Sequence, residues 1–284
     1  MIMKESSPIK RISQTVRLEI AKRGAKLYSF EDNENHIDKF AEMISDKFPV
    51  VYFNHQSHID IGPMMEAADR LNARLEKPLH YNLPVAISIK KEQGEMIGNY
   101  YAAFSPLVEK HNIKILEVAR KKDRALYGLE ETEETIDELD KTVFTDKGVV
   151  MFPEGTTTSG KLNKKTGERN GIVEIRNRQL SSMTRTSTRE ADKQVAYLPI
   201  ALNGGYRIFD TSRNKIPLNA YMNMALNEIP FVHRILATAR VGSPFTSTYM
   251  IESGVDIDND GEVNTYLMKK IASMLPFEMR GYYK

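Results

Sequence analysis

"VVYFNHQSHID", Val50–Asp60, is the stretch on which the reading of this chain turns. Val50 to Phe53 are β-branched or aromatic and read as a strand, while a helical apolar pattern opens at Ile61. Between them lie Asn54, His55, Gln56, Ser57, His58 and Asp60, so two histidines, a serine and a carboxylate share one polar turn. A strand that passes through a turn into a helix is the repeating unit of an α/β sheet. The turn then sits at the C-terminal end of the strand, where open α/β sheets bind their ligands.

Outward from this stretch the same alternation continues. Ile113–Val118 reads as a strand before a helix over Leu129–Phe144, and Val149–Phe152 precedes a helix over Ile172–Leu180. Ala196–Leu202 is a further strand, and Ile235–Val241 precedes a helix over Val263–Leu275. Residues 50–284 are therefore expected to form an α/β domain, with a mostly parallel sheet flanked by helices. The polar segments 154–170 and 181–194 read as loops, and no internal repeat is present.

Residues 1–49 read differently. After Pro8, Ile9, Ile12, Val16 and Ile20 recur at helical spacing, and Ile37, Phe40, Ile44 and Phe48 do so again until Pro49. The expectation is a small N-terminal helical hairpin. Residues 1–28 hold seven basic side chains against two acidic ones, a local charge of +5 in a chain whose net charge is +2. A basic amphipathic helix of this kind either packs on its own domain or lies on an anionic membrane surface.

The chain has 284 residues and no cysteine, which excludes disulfides, thiolate chemistry and cysteine-ligated zinc and fits a reducing compartment. Nowhere do about 18 apolar residues run together as a membrane span needs, and the N-terminus lacks the apolar core of a signal peptide. A cytoplasmic location, or a peripheral one on the inner face of a membrane, is expected.

Four chemistries compete for the Val50–Asp60 turn. His55, His58 and Asp60 form H-x-x-H-x-D, a set that can ligate zinc. The metallo-β-lactamase pattern H-x-H-x-D-H is superficially similar, but Gln56 and Ile61 stand where two of its histidines would be. A nucleophilic Ser57 would need a glycine-flanked elbow, and neither neighbour is glycine. Plain turn residues are a third reading. A general base is the fourth, because His55 has Asp60 five residues on, able to fix its tautomer and stabilise the imidazolium. The other histidines, His36, His58, His80, His111 and His233, have no acid at that spacing.

Asn54-His55-Gln56-Ser57-x-x-Asp60 resembles the N-H-x-S-x-x-D block of the glycerolipid acyltransferases, which act on glycerol-3-phosphate and lysophosphatidic acid. Ile113–Arg120 is similar to that family's second block, an extended segment ending in arginine. Phe152-Pro153-Glu154-Gly155-Thr156-Thr157-Thr158 resembles its F-P-E-G-T-R-S block, and Tyr197–Leu202 its proline-containing strand. The four blocks occur in order over roughly residues 50–245, and the first and third are the specific ones.

The resemblance implies an O-acyltransferase of phospholipid biosynthesis that takes a fatty acyl group from an acyl thioester, acyl-CoA or acyl carrier protein. It implies His55 as base, Asp60 as its orienting partner, and Asn54, Ser57, Arg120, Glu154, Gly155 and Thr156 as substrate-binding residues. No metal or bound cofactor is needed for such chemistry. Thr157 stands where the family often has arginine, so Lys161 or Arg169 would supply that charge, or the acceptor has a different head group. The rival readings are a catalytically silent lipid-binding protein and a metal-dependent hydrolase on His55, His58 and Asp60.

Two further stretches have plainer explanations. "DIDNDG", Asp256–Gly261, opens like a calcium loop, but its twelfth position is Leu267 rather than the required glutamate, so it reads as a polar turn capping a helix. Arg176, Arg178, Arg185 and Arg189 form a basic run, yet the chain has neither the charge balance nor a module for nucleic acid. A solvated or membrane-facing loop is expected there.

Overall fold

The computed structural model describes residues 22–86, 105–118, 139–155, 171–175, 178–209 and 216–284. Its central strand, β2 (Phe48–Phe53), is buried at every position. It pairs in parallel with β6 (Val195–Asn203) on one side and β5 (Gly148–Met151) on the other. The sheet extends past β5 to β3 (Tyr81–Ala86) and β4 (Ile113–Val118), both parallel to it. Past β6 the direction reverses: β7 (Ala237–Val241) and the short β8 (Phe245–Thr246) are antiparallel to β6, and β1 (Tyr28–Glu31) runs parallel to β7 at the edge.

Helices cover both faces. They include α1 (His36–Met43), α2 (Ile61–Asn72), α3 (Gln179–Arg189), α4 (Gly205–Ile208), α5 (Leu218–Leu226), α6 (Ser247–Glu252) and α7 (Asp260–Met274). Alternation along β2 divides the core: Val51 and Phe53 pack with α1 and α2, whereas Phe48, Val50 and Tyr52 pack with α3 and α7. Two-sided burial is why this strand reads as an unbroken apolar run.

Prolines stand only where the ladder has no use for their missing N–H. Pro199 lies between the stretch of β6 that pairs with β8 and the stretch that pairs with β7. Pro49 precedes the first β5 pairing of β2, and Pro84 lies beyond the last β5 pairing of β3.

The α/β architecture with a mostly parallel sheet is the one expected, and several elements differ in detail. The first N-terminal helix lies largely outside the described residues. The second ends at Met43, and Phe48 and Pro49 belong to β2; Phe48 faces the opposite core from Ile37, Phe40 and Ile44, so its helical spacing with them is accidental. Between the two expected helices runs β1, which joins the main sheet beside β7 rather than leaving a purely helical hairpin. Strand β7 begins at Ala237, two residues after the predicted start.

The helix expected over Ile172–Leu180 begins at Gln179. Ile172 and Ile175 are buried, but their backbone N–H groups donate to the Met279 carbonyl (3.2 Å) and the Tyr283 hydroxyl (2.9 Å) instead of to a helical ladder. The supposed loop 181–194 is largely α3; its buried face mixes Leu180 and Met183 with Ser181, Thr184 and Ser187, which weakened the helical apolar signal. Those hydroxyls are satisfied locally, Thr184 donating to the Leu180 carbonyl at 2.6 Å. The basic run lies on this helix: Arg178 and Arg185 pair with Asp260 and Arg189 with Asp258, while Arg176 is outside the described residues. As expected, "DIDNDG" caps a helix, with Asn259 accepting the N–H groups of Gly261 and Glu262 at the start of α7.

Among the described residues no helix is long and apolar enough to cross a membrane.

Candidate active site

Where β2 ends, the chain folds around one carboxylate. Asp60 is fully buried. Its Oδ2 accepts the backbone N–H groups of Gln56 (2.6 Å) and Ser57 (2.8 Å) and lies 3.1 Å from His55 Nδ1. Its Oδ1 accepts the Tyr28 hydroxyl at 2.6 Å and the Ser57 hydroxyl at 3.3 Å. Ser57 Oγ in turn accepts the Ile59 N–H (3.2 Å), completing a capping box that winds His58–Asp60 into one 3-10 turn before α2 begins. A buried carboxylate requires such a set of donors.

His55 is thereby fixed in tautomer and orientation. With Nδ1 on Asp60, its Nε2 is on the far edge of the ring, and the side chain retains 19% exposure. The ring stacks on Phe152, centroids 4.4 Å apart at 30°. From below, Glu154 holds the backbone: one carboxylate oxygen accepts the His55 N–H and the other the Val173 N–H at 2.9 Å. Glu154 occupies the turn that follows β5, closed by the Gly155 N–H on the Phe152 carbonyl (3.0 Å), with Pro153 second and Gly155 fourth. Gly155 has φ +60°, the left-handed conformation that glycine tolerates best. The two specific sequence blocks, one after β2 and one after β5, thus meet through a single glutamate.

Asn54 bridges strands. Its Nδ2 donates to the Leu202 carbonyl (2.9 Å) and its Oδ1 accepts the Leu202 N–H (2.6 Å), extending the β2–β6 pairing by one side chain. In this structure Asn54 and Ser57 support the turn, and neither exposes its side chain to solvent. His58 is a wall residue, edge-on to His55 with centroids 6.5 Å apart and tilted against Phe209 at 5.7 Å. His55, His58 and Asp60 do not converge on one point, and among the described residues no group of three or more His, Asp or Glu is placed to hold a metal ion. Arg120, Thr156, Thr157, Lys161 and Arg169 lie outside the described residues.

Three participants escaped the sequence reading. Tyr28 sits on edge strand β1, and burial, reinforced by the Asp60 charge, pushes its phenol well above the ordinary value, so it remains a donor to Asp60. Gln56 is buried, and its Oε1 accepts the Gly205 N–H at 3.0 Å. Gly205 itself has no room for a side chain: a Cβ there would lie 2.5 Å from the Tyr28 hydroxyl and 2.6 Å from Asp60 Oδ1. Tyr28 and Gly205 have no local signal, since they are far from Asp60 in sequence; Gln56 stands in the turn itself, but its side-chain partner, Gly205, is 149 residues away.

Comparison with models of known protein families and with curated proteins found no match for this chain.

Proposed function

We propose that the chain is an O-acyltransferase that moves a fatty acyl group from an acyl thioester, acyl-CoA or acyl carrier protein, to a hydroxyl of glycerol-3-phosphate or lysophosphatidic acid in phospholipid biosynthesis. One observation carries the reading: at the C-terminal end of β2, the imidazole of His55 is held through Nδ1 by the buried Asp60 at 3.1 Å. A histidine so held can act as a general base through Nε2.

In the proposed reaction His55 Nε2 takes the proton of the acceptor hydroxyl as its oxygen attacks the thioester carbonyl. The tetrahedral intermediate collapses with cleavage of the C–S bond, and the proton passes from His55 to the departing thiolate. Asp60 stabilises the imidazolium in between, and the Glu154 contact with the His55 backbone keeps the ring on its track. No step requires a metal or bound cofactor. Arg120 and Thr156 are proposed to bind the acceptor with Gly155, as the sequence blocks imply. The proposed setting is cytoplasmic or on the inner face of an anionic membrane, with residues 1–28 as one point of attachment.

The test is a labelled acyl-donor assay against a panel of glycerophosphate and lysophospholipid acceptors. His55→Ala should lower turnover by about a hundred- to ten-thousand-fold with the fold retained, the range that general-base catalysis supplies. His58→Ala should cost less than about ten-fold, because His58 has no proton to carry in this scheme. An undiminished rate in the His55 variant would remove the reading, and activity lost to a chelator would favour the hydrolase.

A further inference from the structure

Helix α5 and the loop after it form a surface that the chemistry above does not use. The nine residues Leu218–Leu226 include no charged side chain, yet only Ala220 and Met224 are buried. Its only polar side chains are Asn219 and Asn223, and a helix this rich in apolar residues is normally covered by other elements. Here Leu218 is 75% exposed, and Tyr221, Met222, Ile229 and Ile235 are each 48% exposed or more.

Phe231, at the tip of the loop, is 99% exposed. Its φ of +68° is in the left-handed region, which is costly for a bulky side chain. The loop is also closed beneath it: Asn227 Nδ2 donates to the Arg234 carbonyl (3.1 Å) and Asn227 Oδ1 accepts the Arg234 N–H (2.6 Å). The Val232 N–H meets the Ile229 carbonyl at 3.1 Å inside that clamp. The fold therefore spends backbone strain and a dedicated side-chain clamp on presenting a phenyl ring to solvent.

The charge around this patch is net positive. Glu228 is the only acid between Ile216 and Leu236, and Lys26 (3.5 Å) and Arg23 (3.8 Å) both face it. Arg234 is exposed on the same loop, so three cations stand against one anion. Apolar side chains rimmed by cations match an anionic bilayer: the apolar groups enter the acyl boundary while the cations meet phosphate. The patch also backs onto the candidate site, since a Cβ on Gly24 would meet both Ile59, in the His58–Asp60 turn, and Met224 of α5.

We propose that α5 and the 227–235 loop are a docking surface for an anionic lipid bilayer, with Phe231 as the inserted wedge. Of residues 1–28, Arg23 and Lys26 stand at the rim of this surface, and the proposal does not depend on acyl transfer; if that reaction is also present, docking brings the site to a lipid acceptor.

The experiment is sedimentation of the full chain with vesicles of phosphatidylcholine, with and without about one third phosphatidylglycerol, in the absence of acyl donor. The chain should pellet with the anionic vesicles only, and high salt should weaken this. Phe231→Ser combined with Met222→Ser should lower vesicle partitioning about ten-fold or more with an unchanged thermal transition. Arg234→Glu should lower it on anionic vesicles with the apolar patch intact. Wild-type chain that ignores both vesicle types, or a double variant that binds as wild type does, overturns the proposal. So does light scattering that shows a wild-type dimer split by the double variant, which would make the occupant a second copy. Because binding is read without turnover, a chain that docks but transfers no acyl group would uphold this surface and refute the enzymatic reading alone.

Discussion

Asp60 is the residue on which the candidate site depends, and Tyr28 is its least obvious support. The phenol holds Oδ1 at 2.6 Å while His55 Nδ1 lies against Oδ2, so the carboxylate is braced from two sides. Tyr28→Phe removes one brace and no bulk. Losing a buried hydrogen bond to a carboxylate should cost about 1.5–3 kcal/mol, measured by urea unfolding. If the proposed acyl transfer is the reaction, it should fall about ten-fold in kcat with KM little changed, as for a positioning residue that does not touch substrate. Equal stability and activity in both proteins would show that the Tyr28 contact contributes nothing. The His55–Asp60 pair was legible in the sequence because its members are five residues apart in one turn. Tyr28 was not, because only the placing of β1 beside β7 brings it near.

At the scale of elements, α3 and α7 are tied by charge. Burial raises the Asp260 carboxyl, but hydrogen bonds from Ser181 and Arg185 and the charges of Arg185 and Arg178 outweigh it, so its pKa lies below the ordinary value. A folded-state pKa below the unfolded one contributes stability that is complete above the unfolded value, about 3.9 for aspartate, and is lost as pH falls through it toward the folded pKa. Asp260→Asn should therefore lower the urea midpoint at pH 7. The gap from the parent protein should narrow as pH drops below about 4. A gap that is constant with pH would assign the effect to lost packing. In sequence the acidic stretch read as a polar turn capping a helix and the basic run as a solvated or membrane-facing loop, with nothing to link the two. Folding sets them against each other, and α3 was hidden because three of its five buried residues are Ser or Thr.

For the molecule as a whole, the sheet decides where chemistry can occur. The β2 and β5 turns emerge at the same edge, and Asn54 locks β2 to β6 through both backbone groups of Leu202. Asn54→Ala would leave a buried N–H and a buried carbonyl without those partners, a loss of roughly 2–4 kcal/mol, read from denaturant unfolding. A change within experimental error would show that the pairing does not need this bridge. The sequence by itself determined the α/β class and the polar turn after β2, because hydrophobic period and turn chemistry are local properties of the chain. Tertiary structure alone decided that Glu154 grips the His55 backbone, that Gly205 leaves room for Asp60, and that α5 stays uncovered. Each of these depends on which strands become neighbours, a relation between residues distant in the chain that no local pattern encodes.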